Sequence, residues 1–522
     1  MSIAGNDSLI LNDRGSLSLN LTETEKKTIS LSDDLFCFYI SDELNEKGLP
    51  QNGALWENGA YEGKGVASFF DAVFGRSDTG IVLIPEAGTQ SWIFKRENEK
   101  ITLTLSAGNW RLQSFPGNEP DWTRQPFPFR NLPDTDPETR HAFIRGLLDF
   151  FAGTRRAPDG TVFQSPNTSI GKGYGADGIP DTFFQFIAAY PHLSERRRAW
   201  FRSQIEWLGD HMRFDGCIPW GGCNSSPYYH LWKRPDCGLF FDGNGLWLEM
   251  VRRIFLEDGI APDPEKVVRA AGFYLQYLTE DGLVAAESKK MGCEWADLLR
   301  NGWHSSLINV IAYRGLRAAE SILDKLKIHE LADRYGRAAE RLRKGFNHPI
   351  SEGGFSTDTG YIDWRDPDGT VHPHWRIDTN MLAIVWGVAS HAQTRRIIDE
   401  FKRVYFRNEP AVPAPYLLYG SWMEPVDDML EGCRTFGCGR ASMPGRMGGP
   451  TVAALRQCGE NEAADHLFSR LVHLVNHEPA VWEYYSLNGK GEGERSYIEH
   501  ALSPLLTLHF PVAGDPDAVT KN

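Results

Sequence analysis

Beyond residue 138 the apolar residues of this chain recur every three to four positions, the spacing of one helix face, in a series of separate blocks. The blocks predict twelve amphipathic helices, over 138–154, 179–190, 194–212, 242–256, 263–278, 303–326, 329–346, 376–389, 391–404, 445–458, 460–475 and 499–510. The connections between them alternate in length. Pro191-His192-Leu193 joins the second helix to the third, a short stretch around Gly259 joins the fourth to the fifth, and Ser390 and Gly459 mark later tight turns. The intervening gaps run to roughly 20–40 residues, a length that usually marks functional loops. A ring of helical hairpins gives this alternation: six outer helices each cross by a long loop to an inner helix, then return by a tight turn. The expected fold is mainly α, an (α/α)6 toroid with its cleft at the long-loop end. A solenoid of helix pairs would have shorter, more uniform repeats.

The first ~125 residues instead follow the period of two that marks strands. Ile101–Leu105 alternates, and Asn109–Gln113 follows an Ala-Gly turn. Shorter runs stand at Phe36–Ile40, Val66–Phe70 and Ile81–Ile84, and Glu97-Asn98-Glu99 is placed to turn a hairpin from Ser91–Lys95 into Ile101–Leu105. A connector containing Pro116, Pro120, Pro126, Pro128, Pro133 and Pro137 disfavours both helix and central strand. The expected organisation is a β-rich, sandwich-like domain with its linker over 1–130 and the helical domain over 131–522.

Composition narrows the function. With 55 Lys+Arg against 69 Asp+Glu, the 522-residue chain carries a formal charge of -14, which gives no counterion-release advantage on nucleic acid. No run reaches the ~18 apolar residues of a membrane-spanning helix. Met1–Leu11 lacks a basic segment leading into an apolar one. The eight cysteines do not form a disulfide scaffold, and neither Cys217, Cys223 and Cys237 nor Cys433 and Cys438 have zinc-knuckle spacing. A cytoplasmic protein without nucleic-acid or membrane partners is expected. The sequence leaves its oligomeric state open. The 16 Trp, 17 Tyr and 29 Phe supply the flat apolar surfaces on which sugar rings stack.

Catalytic groups are expected in the long loops or the first turns of inner helices. The loop before the sixth helix contains Met291–Leu299, with Glu294, Trp295 and Asp297; the loop before the twelfth contains Val481–Glu494, with Trp482, Glu483, Tyr484, Glu492 and Glu494. A carboxyl flanked by Trp or Tyr can be desolvated enough to keep its proton and donate it. Two such segments facing one cleft make a candidate catalytic pair. Gly171–Gly175 lacks the strand-to-helix context of a phosphate loop, His372-Pro373-His374 offers only two metal ligands, and Arg196–Arg198 begins an outer helix as a solvated face. The reading calls for no cofactor and no metal.

Glu294-Trp-Ala-Asp297 followed by Ser305–Tyr313 resembles a loop-to-helix segment of (α/α)6 glycosidases, above all the glucosidase domain of glycogen-debranching enzymes and their glucoamylase-like and trehalase-like relatives. The resemblance implies that Asp297 is the general acid, with Trp295 and Trp303 excluding water. Phe240–Trp247 resembles the relatives' entry to an inner helix, whose aspartate, here Asp242, holds a sugar hydroxyl. Arg376-Ile-Asp-Thr-Asn380 resembles their Arg-Pro-Asn helix start, which adds Arg376 and Asp378 to the substrate site. Trp482-Glu-Tyr-Tyr485 resembles the segment carrying their general base. This makes Glu483 the candidate base and Trp482 and Tyr484 its neighbours, with Glu294, Glu492 and Glu494 as alternatives within the two loops. Trp220, Trp232, Trp364 and Trp422 are candidate sugar platforms. Tyr497-Ile-Glu-His-Ala501 stands where the relatives carry Gly-Phe-Gly-Trp or Gln-Ala-Trp-Ser, and the trehalase signatures are absent. The implied activity is inverting hydrolysis of a small oligosaccharide or glycoside. A phosphorylase, epimerase or lyase on the same scaffold and a non-catalytic carbohydrate-binding protein remain alternatives.

Overall fold

The period-two runs of the N-terminal region pair into two antiparallel sheets in the computed structural model. One has the order Ser2–Ile3, Lys27–Leu31, Lys100–Leu105, Ser91–Glu97, Gly59–Lys64. The other runs Leu17–Leu21, Gly108–Phe115, Gly80–Pro85, Ala67–Asp71, Phe38–Ser41, Ala54–Trp56. The expected hairpin forms, from Trp92 opposite Leu105 to Glu97 opposite Lys100, and the Trp92 and Leu105 side chains are both fully buried. The strand after the Ala-Gly turn does not extend that hairpin. It crosses to the second sheet and pairs with Gly80–Pro85.

Besides these strands and the short pair Glu43–Leu44 with Pro50–Gln51, the structure describes residues 131–156, 162–166, 178–193, 195–221, 239–287, 294–295, 299–415, 418, 442–478, 481–486, 488–495 and 497–512. They fall into two units, Met1–Arg156 with His192–Ser194 and Ala157–Pro191 with Glu195–Asn522. Helix α1 (Pro137–Ala152) belongs to the first.

The second unit contains α2 (Ile179–Ala189), α3 (Glu195–Asp210), α4 (Asp242–Asp258), α5 (Pro264–Leu275), α6 (Ser306–Lys325), α7 (His329–Phe346), α8 (Ile377–Val385), α9 (His391–Asn408), α10 (Gly449–Gln457), α11 (Asn461–His477), α12 (Ile498–Ala501) and α13 (Ser503–His509). Helices α2, α4, α6, α8, α10 and α13 touch in that order, and α13 returns to α2, so the inner ring closes. Burial separates the two layers. Every residue of α2 and of α8 is buried, whereas α7 buries Ala332, Tyr335, Gly336, Ala339, Leu342 and Phe346, a single stripe at helical spacing. Close approach at the α4–α6 crossing requires glycine: a Cβ on Gly315 would stand 2.6 Å from the Gly245 Cα. No helix among the described residues is long and apolar enough to cross a membrane.

Several predicted helix bounds shift, and three of the differences have a clear local reason. The helix expected from 303 starts at Ser306, because Trp303 has a left-handed φ of 76° and His304–Ser305 pairs with Trp364–Arg365. The helix expected to reach 389 stops at Val385, shortly before the left-handed Gly387. The last inner helix breaks at Leu502, since Pro504 has no N–H to give to the carbonyl one turn earlier.

An asparagine near the start of α4, α6 and α8 fixes the incoming long loop. Asn244 accepts from Ile218 N and donates to Gly216 O and Ala270 O; Asn309 accepts from Val284 N and donates to Val284 O; Asn380 accepts from Tyr361 N and donates to Tyr361 O. Each amide copies the donor and acceptor of a strand neighbour, so the loop backbone is satisfied without a sheet.

Candidate active site

Polar residues at the starts of the inner helices join into one buried network. Arg376, which caps α8, donates through Nη1 to Glu294 Oε1 at 2.8 Å and to Asp363 Oδ1 at 3.0 Å, and through Nη2 to Asp378 Oδ2 at 2.8 Å. The four side chains are wholly buried. A second arginine, Arg446, sits in the π-turn Pro444–Gly448 ahead of α10. It donates through Nε to Glu499 Oε1 and through Nη2 to Asp181 Oδ1, both at 2.7 Å. Tyr497 adds its hydroxyl to Asp181 Oδ1 at 2.6 Å. Trp295 connects the two halves: its indole N–H donates to Asp378 Oδ2 at 2.9 Å, and the Arg446 guanidinium lies 6.0 Å from its ring.

Asp242, the first residue of α4, is fully buried between these groups. Neither of its oxygens has a hydrogen-bond partner among the described residues. Burial pushes its carboxyl well above the usual range, the Glu294 charge adds to the rise, and Arg446 opposes it. Burial likewise moves Asp363 up to about 7 against the pull of Arg376, and Glu499 up to about 8 against Arg446. The cause is visible in the composition of the network. Among the described residues Asp181, Asp242, Glu294, Asp363, Asp378 and Glu499 are all buried, and the arginines facing them are Arg376 and Arg446. Burial, together with that excess of negative charge, favours the protonated form of Asp242, Asp363 and Glu499. Helix N-termini favour the negative charge that remains.

Glu483 lies on the hairpin Trp482–Tyr485 with Gly491–Arg495, which leads into α12. Its Oε2 accepts from the Glu494 N–H at 3.0 Å, and its charge is felt by both Tyr497 and Glu499. The structure therefore brings Asp242, Glu294, Trp295, Arg376, Asp378 and the Glu483 hairpin to one end of the ring. Glu294 is taken up by Arg376 and Asn301. Glu492 faces Lys490 at 3.8 Å, and Glu494 contributes its backbone to Glu483. Trp482 is half-buried and Tyr484 buried beside it.

Asp297, Trp232 and Trp422 lie outside the described residues. Trp364 presents no open face: it is fully buried, its ring stacked 4.1 Å from His372 and 5.5 Å from His374. His372 is 3.2 Å from Asp366 through Nε2 and Oδ2, the geometry of a hydrogen-bonded loop. Trp220 is half-buried against Phe240 at 4.7 Å.

No protein-family model matches the sequence, and no curated protein is significantly similar to it. Solved structures are similar in fold. A family GH78 rhamnosidase of a Bacillus species superposes with a TM-score of 0.51 at 14% identity, over 96% of this chain and 46% of the rhamnosidase. The GH63 mannosylglycerate hydrolase of Thermus thermophilus, in complex with glucose, gives 0.51 at 16% identity over 70% of this chain and all of its own. A bacterial glucoamylase complexed with acarbose gives 0.53 at 12% identity over 94% and 85%. The fold is that of the (α/α)6 glycosidases. This chain spans less than half the length of the rhamnosidase. Two of the three matches extend over nearly all of this chain, so the (α/α)6 ring and the β-rich region before it recur together.

Within the (α/α)6 ring, Asp181, Asp363, Arg446, Tyr497 and Glu499 join the site without having been singled out from the sequence. Their signal was present. Asp181 interrupts Ile179–Ala189, which is otherwise almost entirely apolar, and Arg446 and Glu499 stand in the entries to two further inner helices. A charge in the first turn of a helix that is buried all round has to meet a partner in the ring's interior.

Proposed function

We propose that the chain is a glycoside hydrolase acting on a small oligosaccharide or glycoside, with Asp297 as general acid and Glu483 as general base. The observation that carries this reading is Asp242: a wholly buried carboxyl whose oxygens meet no side-chain donor among the described residues, in the carboxyl-rich end of the ring that the Glu483 hairpin also reaches. Unmatched buried acceptors are costly, and neighbouring hydroxyls of a sugar ring supply the donors they lack. Arg376, held by three carboxylates, keeps Glu294 and Asp378 in fixed positions around that ring.

In this mechanism the carboxyl of Asp297 protonates the glycosidic oxygen as the bond to the anomeric carbon breaks. Glu483 takes a proton from a water that attacks the opposite face. The sugar leaves with inverted anomeric configuration, which requires the two carboxyls to stand roughly 6.5–9.5 Å apart. The test is incubation with a panel of glycosides, with and without inorganic phosphate. Free sugar supports a hydrolase, sugar phosphate a phosphorylase, and no product a binding protein.

A further inference from the structure

The hairpin that carries Glu483 is irregular. Trp482 pairs with Arg495 and Tyr484 with Glu492, so Gly493 and Glu494 together oppose Glu483. Gly493 has a φ of 80°, the left-handed residue of a two-against-one bulge. The bulge turns the next amide toward the partner strand, where the Glu494 N–H meets Glu483 Oε2 at 3.0 Å. Space is as restrictive as the dihedral. A Cβ on Gly493 would stand 2.5 Å from Glu483 Oε2, 2.5 Å from Tyr484 Cε1 and 3.0 Å from Glu483 Cβ. Sliding cannot relieve that clash, because Tyr485 is bonded in both directions to Ser442, at 2.9 and 3.0 Å, and Tyr497 N to Val481 O at 2.9 Å.

We infer that the Gly493 bulge positions Glu483 for catalysis: its left-handed backbone delivers the Glu494 N–H to the carboxylate, and its missing side chain leaves the carboxylate room. The inference rests on Glu483 being the base. Gly493 acts through Glu483 and is a positioning residue. A hydrogen bond donated to a carboxylate favours its charged form, so losing the bond makes the base easier to protonate. The acidic limb of the kcat/KM profile then moves to higher pH.

The experiment compares Gly493→Ala with Gly489→Ala on the best glycoside of the panel. Gly489 is also left-handed, at 86°, but a Cβ there meets nothing closer than Ala411 Cβ at 3.5 Å, so it tests backbone strain apart from the carboxylate. Gly493→Ala should lower kcat about tenfold or more, with KM within about twofold, and raise the acidic limb by about half a pH unit or more. Gly489→Ala should leave the limb in place. A folded Gly493→Ala with the wild-type limb and kcat overturns the inference, as does an equal shift in Gly489→Ala. Should Gly493→Ala not fold, Glu494→Pro deletes the donated N–H without placing a Cβ at 493. That variant should move the acidic limb in the same direction, and a wild-type limb and kcat in it overturn the inference. Glu483→Gln separates the two levels: if it stays active the base assignment fails, whatever Gly493 does.

Discussion

Trp295 donates its indole N–H to Asp378 Oδ2 at 2.9 Å, which ties the loop before α6 to the first turn of α8. The same ring packs edge-on against Phe184 of α2, with centroids 5.5 Å apart. One side chain thus links the loop before α6, the first turn of α8 and the middle of α2, two residues ahead of the proposed acid in the chain. Trp295→Phe keeps an aromatic ring and deletes the donor. It should lower unfolding stability by about 1–2 kcal/mol in urea titrations. It should also slow glycosides with poor leaving groups more than those with good ones, because disorder in this loop acts first on proton donation.

Asp242→Asn should separate stability from function. Burial raises the folded carboxyl well above its unfolded value, so the free chain loses stability as pH rises past that unfolded value near 3.8. The asparagine variant lacks this penalty. Its thermal midpoint should exceed wild type at pH 7, with the gap closing toward pH 4. Its kcat/KM should fall about 10- to 100-fold, because the amide NH2 puts a donor where the sugar hydroxyl met an acceptor, a mismatch that costs roughly 1–3 kcal/mol.

Buried carboxyls and desolvated histidines should pull stability in opposite directions below pH 6.5. Asp363 at about 7 and Glu499 at about 8 hold protons that the unfolded chain releases above about pH 4, so their contribution falls as pH rises from there to about 8. The slope is at most about 1.4 kcal/mol per pH unit for each group. His304 is buried and His374 half-buried, and both are pressed down to about 4 by desolvation, with Arg365 adding to His304 and His372 to His374. The unfolded chain takes up these protons first, so the histidine contribution falls from about pH 6.5 toward pH 4, against the carboxyls. Glu499→Gln should remove the loss that its carboxyl adds between about pH 4.5 and 8, and His304→Gln the loss that its imidazole adds between about 6.5 and 4. Denaturation midpoints across pH check both.

The toroid was legible because connection length carries topology. Tight turns at Ser390 and Gly459 alternate with long gaps, as a ring of helical hairpins requires, and the inner helices close into that ring. The buried cluster was legible in part, where a loop motif resembled a known one, as with Glu294-Trp295 and Trp482-Glu483, and the structure places these beside the inner-helix entries. What the sequence did not reveal depends on partners far apart in the chain. Arg446 meets Asp181 across 265 positions, and no local spacing encodes that pair. Trp364 has the composition of a sugar platform, yet its burial against His372 is decided by tertiary packing. The helix start at Ser306 was displaced by the left-handed Trp303, a conformation that helical periodicity does not register.

Asp297→Asn and Glu483→Gln should impair catalysis differently. Loss of the acid should weigh most on substrates with poor leaving groups, since good ones need little protonation. Loss of the base should slow every substrate, since each requires the activated water. Leaving-group dependence of kcat/KM across aryl and alkyl glycosides distinguishes the two: steep for Asp297→Asn, and close to the wild-type dependence at a uniformly lower level for Glu483→Gln.

The most direct test is proton NMR of the first sugar released from a cleaved glycoside, recorded before mutarotation and compared between wild type and Glu483→Gln. The account predicts free sugar of the anomeric configuration opposite to the substrate's, formed by wild type and almost absent with the variant. A first product with the substrate's own configuration, or one formed at the wild-type rate by Glu483→Gln, would contradict it.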